Sequence, residues 1–210
     1  YGMAGMWYDA QDCTLEAKKS WLMAGDEIVA LGAGISSTDG RTIETTVENR
    51  KMNPGADYRL TLDGEAVLAA DGVLNAPSAH WAHFAGVDEN TNVGYWFPQP
   101  AAVNLRREAR TGSWYGISRP YNPKEPITRS YFTLWLDHGK SPKDATYAYV
   151  LLPGRDAAAT AAFAAAPGVE ILANTPQVQA ARNTKEGVTG FSFWEAAGPV
   201  AGVSADAPAS

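Results

Sequence analysis

The segment KKSWLMAGDEIVALGAGISSTDG, residues 18–40, decides the fold class of this chain. Apolar-rich runs at 13–23 and 26–34 flank the tight-turn pair Ala24-Gly25, which predicts a β-hairpin. STDG at 37–40 gives a second turn signal. The segment has no cluster of catalytic side chains, so we expect it to be framework and not a reactive surface.

Strand signals continue along most of the chain. Residues 42–50, TIETTVENR, alternate with a period of two that is typical of a half-exposed sheet. This alternation predicts one face made of Ile43, Thr45, Val47 and Asn49. Further strands are predicted at residues 65–70, 79–84, 92–97, 102–110, 113–118, 127–137, 146–152, 169–173, 178–182 and 188–194.

One segment is predicted to be helical, RDAAATAAFAAAP at residues 155–167. It is rich in alanine, has Asp156 near its start and ends at Pro167. Many strands with one late helix indicate an all-β chain built on a large antiparallel β-sandwich. We place a domain boundary near Pro167, and we expect the tail from Gly198 to fray.

The charge of the chain argues against generic binding to nucleic acids or anionic membranes. The 210 residues carry 17 basic and 23 acidic side chains, for a formal net charge of -6. The one concentrated basic run, RREAR at 106–110, alternates between two faces of a strand and predicts no single dense basic patch. The single cysteine, Cys13, can form no intrachain disulfide and is expected to be packed and inert.

The three histidines predict no metal site and no catalytic group. His80 and His83 are three residues apart and point to opposite faces of a strand. His138 follows Asp137, and the pair has two readings, an acid–base dyad or a turn anchored by the histidine, of which the second is favoured. No nucleophile, base and orienting group converge in the sequence, so no catalytic residue is assigned.

Seven tryptophans suggest carbohydrate binding, because flat indole faces suit sugar rings. Trp21 and Trp135 lie between apolar neighbours and are expected to be in the core. For Trp81 and Trp114, exposure and burial are equally open.

Five motifs carry a resemblance that extends over almost the whole chain. In order they are LEAKKSWLMAGDEIVALGAGISSTDGRTIETTVENR, NVGYWFP, REARTGSW, TLWLDHGKSPKDATYAYVLLPG and VEILANTPQVQAAR. From Leu15 to Trp194 the chain resembles polysaccharide lyase family 8, whose members cleave hyaluronan, chondroitin or xanthan. The resemblance implies a large β super-sandwich followed by a small C-terminal β-domain. Residues 1–167 would be the latter part of the first and residues 168–210 the start of the second.

The resemblance also implies a reaction. Family members remove the C5 proton of a uronic acid and eliminate the C4 glycosidic bond, using asparagine, histidine, tyrosine and arginines of an N-terminal α/α toroid. None of the matched motifs carries those residues. The implied protein is a secreted bacterial lyase whose partners are an acidic polysaccharide and a helical catalytic domain. It uses no cofactor, and this chain alone would be inactive. Nothing in the sequence indicates a positive trough, so the cationic cleft is expected to come from elsewhere.

Two other readings remain open at this stage. The chain could be a standalone carbohydrate-binding module that uses surface tryptophans. It could also be a fold relative of sugar mutarotases, although the histidine and glutamate pair of those proteins is not visible. The loops that would line a cleft are not identifiable from the sequence.

Overall fold

The computed structural model describes residues 1–120 and 123–205. The strands are β1 Gly2–Asp9, β2 Glu16–Ala24, β3 Glu27–Ser36, β4 Thr42–Met52, β5 Arg59–Leu62, β6 Glu65–Val67, β7 Gly72–Ala85, β8 Val93–Gly112, β9 Ile127–Lys140, β10 Ala145–Pro153, β11 Val169–Asn174, β12 Val178–Asn183, β13 Val188–Phe193, β14 Ala197–Val200 and β15 Val203–Ala205. The α-helices are α1 Trp114–Ile117 and α2 Ala157–Ala165, and Glu89–Thr91 forms one 3₁₀ turn. Neither α-helix has the length and apolar character that a membrane crossing requires.

The predicted hairpin is confirmed and lies near one edge of the main sheet, next to the edge strand β1. β2 and β3 pair in an antiparallel manner, with Leu22 opposite Val29, and turn at Gly25 with φ +62°. β3 also pairs with β10, and β2 with β1. Most side chains of β3 are buried because both faces of the sheet are covered. Residues 18–40 are therefore framework, as the sequence predicted.

Strand β8 is shared between two parts of the ten-stranded sheet. Its first residues pair with β10, where Trp96 lies opposite Val150, and residues from Asn104 onward pair with β9. β9 in turn pairs with β4. The main core lies against both parts and draws buried side chains from β3, β4, β7, β8, β9 and β10. Within it the rings of Phe84 and Phe132 stack 5.4 Å apart.

A second core attaches the late helix and the last sheet. Leu22, Leu31 and Trp96 pack in one cluster with Phe163 of α2 and Ala181 of β12. The side chain of Asp156 caps α2 by accepting from the backbone N–H of Ala159 at 2.7 Å, as its position in the sequence suggested. Strands β11, β12 and β13 form the three-stranded sheet of the small C-terminal β-domain.

The buried Glu27 and Asn183 and the partly buried Arg155 connect the two sheets through the second core. Glu27 of β3, 4 % exposed, forms an ion pair with Arg155 and accepts from the side-chain amide of Asn183 at 2.9 Å. The same amide donates to the carbonyl of Ala24 at 3.0 Å, and its oxygen accepts from the N–H of Glu186. Each buried group is thereby satisfied, which fixes the C-terminal sheet against the β2–β3 turn.

A β-bulge changes one predicted face. In β4, Ile43, Thr45 and Val47 are buried as predicted, but the register with β9 shifts between Thr46 and Glu48. The extra residue reverses the alternation, so Asn49 is exposed, whereas the sequence placed it on the same face as those three residues.

Two predicted elements at loops were wrong. Residues 113–118 were expected to be a strand but contain α1, closed by the bond from the N–H of Ser118 to the carbonyl of Trp114 at 3.0 Å. The tail was expected to fray from Gly198, but β14 and β15 pair around the tight turn at Ala201 and Gly202. The remainder of that prediction, residues 206–210, lies outside the described residues.

Removing Asn183 is expected to destabilise the fold. The substitution Asn183→Ala leaves the buried Glu27 carboxylate with one donor fewer and should lower the free energy of unfolding by about 2 kcal/mol. Urea unfolding measures the change. Asn75→Ala, at an exposed position of β7, is the control and should stay within about 0.5 kcal/mol of the wild type. Equal effects of the two substitutions would contradict the role given to Asn183.

His83 is expected to make stability depend on pH. Burial lowers the pKa of its imidazole, and the bond to the Arg155 carbonyl with the nearby Asp156 only partly opposes this. The unfolded chain then binds the proton more readily than the folded chain. The stabilisation from neutral His83 is therefore fully present above the ordinary pKa of 6.5 and is lost as the pH drops below it. His83→Gln keeps an N–H donor for that carbonyl and should reduce the loss of Tm between about pH 7.5 and about pH 5.5. An unchanged loss would exclude His83 as its source.

Candidate functional site

A groove of about 890 Å³ opens at one end of β4, β8 and β9. Asn49 and Lys51 of β4, Arg110 of β8, and Arg129 and Tyr131 of β9 line its floor. The short helix α1 and the residues just before it form the opposite wall.

Strand alternation and register together place these side chains on one face. In β9, Phe132 and Leu134 point into the core, so Arg129 and Tyr131 point outward. The β8–β9 register sets Arg110 opposite Arg129, and the β4–β9 register sets Lys51 opposite Tyr131. Cross-strand partners lie within contact distance, and the groove therefore concentrates cations from three strands.

Arg110 organises the floor of the groove through four contacts. Its Nε donates to Glu108 Oε1 at 2.8 Å, one terminal nitrogen donates to Asn49 Oδ1 at 2.9 Å, and the other donates to Thr133 Oγ1 at 2.7 Å. Its guanidinium also lies 4.8 Å from the centre of the Tyr131 ring. A planar fork fixed on three sides and stacked on a ring has little freedom, so Arg110 serves to position its neighbours.

The wall formed by α1 exposes large apolar side chains. Trp114 is 56 % exposed and Ile117 is 80 % exposed. The N–H of Tyr115 donates to the carbonyl of Pro123 at 3.1 Å, and the amine of Lys124 lies 4.8 Å from the Tyr115 ring centre. An exposed indole held at the rim of a cationic groove can stack on a flat ligand ring.

The run RREAR forms no single dense basic patch, as predicted, but its outer-face arginines lie beside cations of neighbouring strands. Within RREAR the alternation is confirmed, because Arg106 and Arg110 both contact Glu108 while Arg107 contacts the carbonyls of Leu68 and Ala69. The other positive charges on this face come from neighbouring strands. Lys51 and Arg129 are exposed and form no ion pair within the described residues. Together with Arg106 and Arg110 they give four positive charges against the one negative charge of Glu108.

The histidines take no part in the groove. His80 is exposed and His83 is buried, so the two point apart as predicted. His138 does not anchor a turn. Its Nε2 is 2.8 Å from Thr45 Oγ1 on the neighbouring strand, whereas the N–H of Gly139 donates to Asp137 at 2.7 Å. Within residues 1–120 and 123–205, no group of three His, Cys, Asp or Glu side chains could hold a metal ion.

The tryptophans divide between core and surface in a way that the sequence predicted in part. Trp21 packs against the main core but stays partly exposed. Trp135 was expected in the core and is not, because it shares the outer face of β9 with Tyr131. Trp81 is partly exposed, and Trp114 is exposed. Trp96, which had no assignment, is the buried one, with its ring edge-on to Phe163.

The groove is suited to binding, and its described lining has neither of the commonest general bases, histidine and carboxylate. Its cations can bind carboxylates, and Trp114 and Ile117 can contact the apolar face of a ring. A saccharide that carries carboxylates combines both properties. The alternation Ile127–Arg129–Tyr131 was visible in the sequence, but nothing there indicated that Lys51 and Arg110 lie beside it.

Comparison with known proteins matches both parts of the chain to one family. Residues 1–164 match the polysaccharide lyase family 8 super-sandwich domain, and residues 170–210 match the C-terminal β-sandwich domain of the same family. A xanthan lyase from Bacillus sp. strain GL1 is 45 % identical over 197 residues, which are 92 % of this chain and 21 % of that protein.

Two solved structures show the same likeness in three dimensions. A Paenibacillus xanthan lyase superposes with a TM-score of 0.95 at 41 % identity, over 99 % of this chain and 20 % of that one. A chondroitin AC lyase from Streptomyces coelicolor A3, in complex with chondroitin sulphate, gives a TM-score of 0.75 at 35 % identity, over 93 % of this chain and 24 % of that one. The chain thus spans about a fifth to a quarter of the length of these relatives.

The positioning role of Arg110 is tested by a conservative substitution. A lysine cannot reproduce three donor directions or the stacking on Tyr131, so Arg110→Lys should lower the free energy of unfolding by about 1 kcal/mol. Arg129→Lys, whose side chain is exposed, should stay within about 0.5 kcal/mol. Urea unfolding compares the two variants, and equal losses would show that Arg110 has no special place in the groove.

Proposed function

This chain belongs to polysaccharide lyase family 8, and we propose that it is the β-sandwich portion of an enzyme that cleaves uronic-acid-containing polysaccharides by β-elimination. Residues 1–167 are the latter part of the super-sandwich domain and residues 168–210 the start of the C-terminal domain. The two family matches end and begin on either side of Pro167, which supports this boundary. Their extent favours this role over that of a standalone binding module. The enzyme is secreted.

One observation carries the proposal: exposed cations and an exposed indole converge in one groove of a chain whose net charge is -6. Lys51 and Arg129 approach the groove from β4 and β9, and Trp114 from α1. Hyaluronan, chondroitin and xanthan, named in the relatives, all carry carboxylates on sugar rings. The groove is one wall of the cleft that holds such a chain.

The chemistry divides between this chain and a second domain. Elimination needs a base for the C5 proton and positive or polar groups that neutralise the adjacent carboxylate. The groove supplies cations but has no histidine or carboxylate in its lining. As the family resemblance implies, we assign the base to a helical domain of the same enzyme, and we expect this chain by itself to bind without turnover.

The purified chain is expected to bind hyaluronan oligosaccharides without cleaving them. Tryptophan fluorescence should report saturable binding, because Trp114 lies at the groove, and affinity should fall as salt screens the charges. Arg129→Gln should weaken binding by about three- to five-fold. The ultraviolet absorbance of an unsaturated uronate should not rise.

Arg59→Gln is the matched control for this experiment. It also removes one exposed arginine, on β5, but leaves the groove intact and should bind as the wild type does. Turnover by the purified chain would contradict the assignment of catalysis to a second domain. Binding that is equally sensitive to both substitutions would show that net charge, and not the groove, holds the polysaccharide.

A further inference from the structure

We propose that Arg106 and Trp135 form a second carboxylate-binding site, which takes a further acidic sugar of the polysaccharide chain held in the groove. The site lies on the outer face of β8 and β9, beyond the groove lining. This inference rests on the proposed function, and it extends the bound length of polysaccharide beyond the groove.

The Arg106 guanidinium is held in place by the indole. Its central carbon lies 5.2 Å from the centre of the Trp135 ring, and 43 % of its side chain is exposed. Stacking on an aromatic face orients a guanidinium while its N–H edges stay available for a planar carboxylate. The register brings the two side chains together, since Trp135 lies opposite Asn104, two residues from Arg106 on the same face of β8.

Arg106 also lacks a close acceptor. The Glu108 oxygen nearest to it is 3.8 Å from its NH1, and that same oxygen accepts from Arg110 at 2.8 Å. No hydrogen bond from the Arg106 guanidinium is found within the described residues. A fixed, partly exposed guanidinium with open donors is ready to bind an external carboxylate.

The spacing favours one polymer across both sites. Arg106 and Arg110 are four residues apart on β8, and Tyr131 and Trp135 are four apart on β9, so the two arginine–aromatic pairs are separated by about 13 Å. Thr133 lies between them, as a short polar side chain that leaves a path along the sheet. A single sugar ring cannot reach both pairs, whereas consecutive acidic sugars of one chain can.

The charge pattern specifies the occupant and where the strip ends. Along this face the cations Arg106, Arg110 and Arg129 meet one carboxylate, Glu108, which complements a polyanion. Beyond Trp135 the sheet presents the opposed carboxyl residues Glu44 and Asp137, both exposed. A polyanion following the strip would be repelled there, so the second site is its last binding position on this face.

The test compares ligands with different numbers of carboxylates. A hyaluronan disaccharide carries one carboxylate and a hexasaccharide carries three. Titrations of the isotope-labelled chain, followed through the Trp135 indole and Arg106 Nε resonances, should show shifts with the hexasaccharide only. Arg106→Gln should weaken hexasaccharide binding by about three- to five-fold and leave disaccharide binding unchanged.

Further variants separate the aromatic support from charge and folding. Trp135→Ala should match Arg106→Gln, because the guanidinium loses its support, whereas Trp135→Phe should retain most of the affinity. Arg59→Gln should change the binding of neither ligand. Thermal unfolding confirms that each variant is folded.

The outcomes distinguish this inference from the function on which it rests. Suppose that Arg129→Gln weakens the binding of both ligands. If Arg106→Gln then weakens the binding of neither ligand, or weakens the binding of both equally, the second site does not exist and the groove function stands. If the wild-type chain binds neither ligand, both proposals are overturned.

Discussion

The register between β8 and β9 is the constraint on which both the core and the groove depend. It runs without interruption from the pair Asn104–Trp135 to the pair Gly112–Ile127. Because side chains alternate along each strand, a slip of β9 by one residue would bring Tyr131 inward and expose Leu134. The cost of exposing that apolar face keeps the register fixed. The cationic groove is thus held in place by the burial of the opposite face of the same strands.

The C-terminal sheet stabilises this arrangement from the other side without reaching the groove. Its second core packs on β2, β3 and β10, and the buried Glu27 and Asn183 pair with each other and with the partly buried Arg155 between the sheets. No described residue of α2 or of β11–β15 lines the groove. Since a buried charge is costly when a partner is lost, these groups specify one position of the sheet and leave the groove to β4, β8 and β9.

Most of the fold could be predicted from local sequence patterns. The wrong predictions lie where contacts with residues distant in sequence override those patterns. The hairpin at residues 18–40 and the capped helix α2 were predicted because alternation, turn residues and Asp156 act locally. Residues 113–118 have strand-forming side chains, but they connect β8 to β9 and fold as α1. The bulge in β4 was equally hidden, because it is defined by its pairing with β9.

The sequence by itself determined that the chain is a β-sandwich, that its basic run alternates between faces, and that its motifs resemble a lyase family. The groove could not be predicted from the sequence. Net charge is a sum over the chain, whereas a binding surface depends on which charges are neighbours. Lys51, Arg110 and Arg129 are far apart in sequence and become neighbours only through strand pairing. Alternation is fixed by the backbone of a single strand, but register is fixed by packing among strands, and for that reason only the tertiary structure decided which cations lie together.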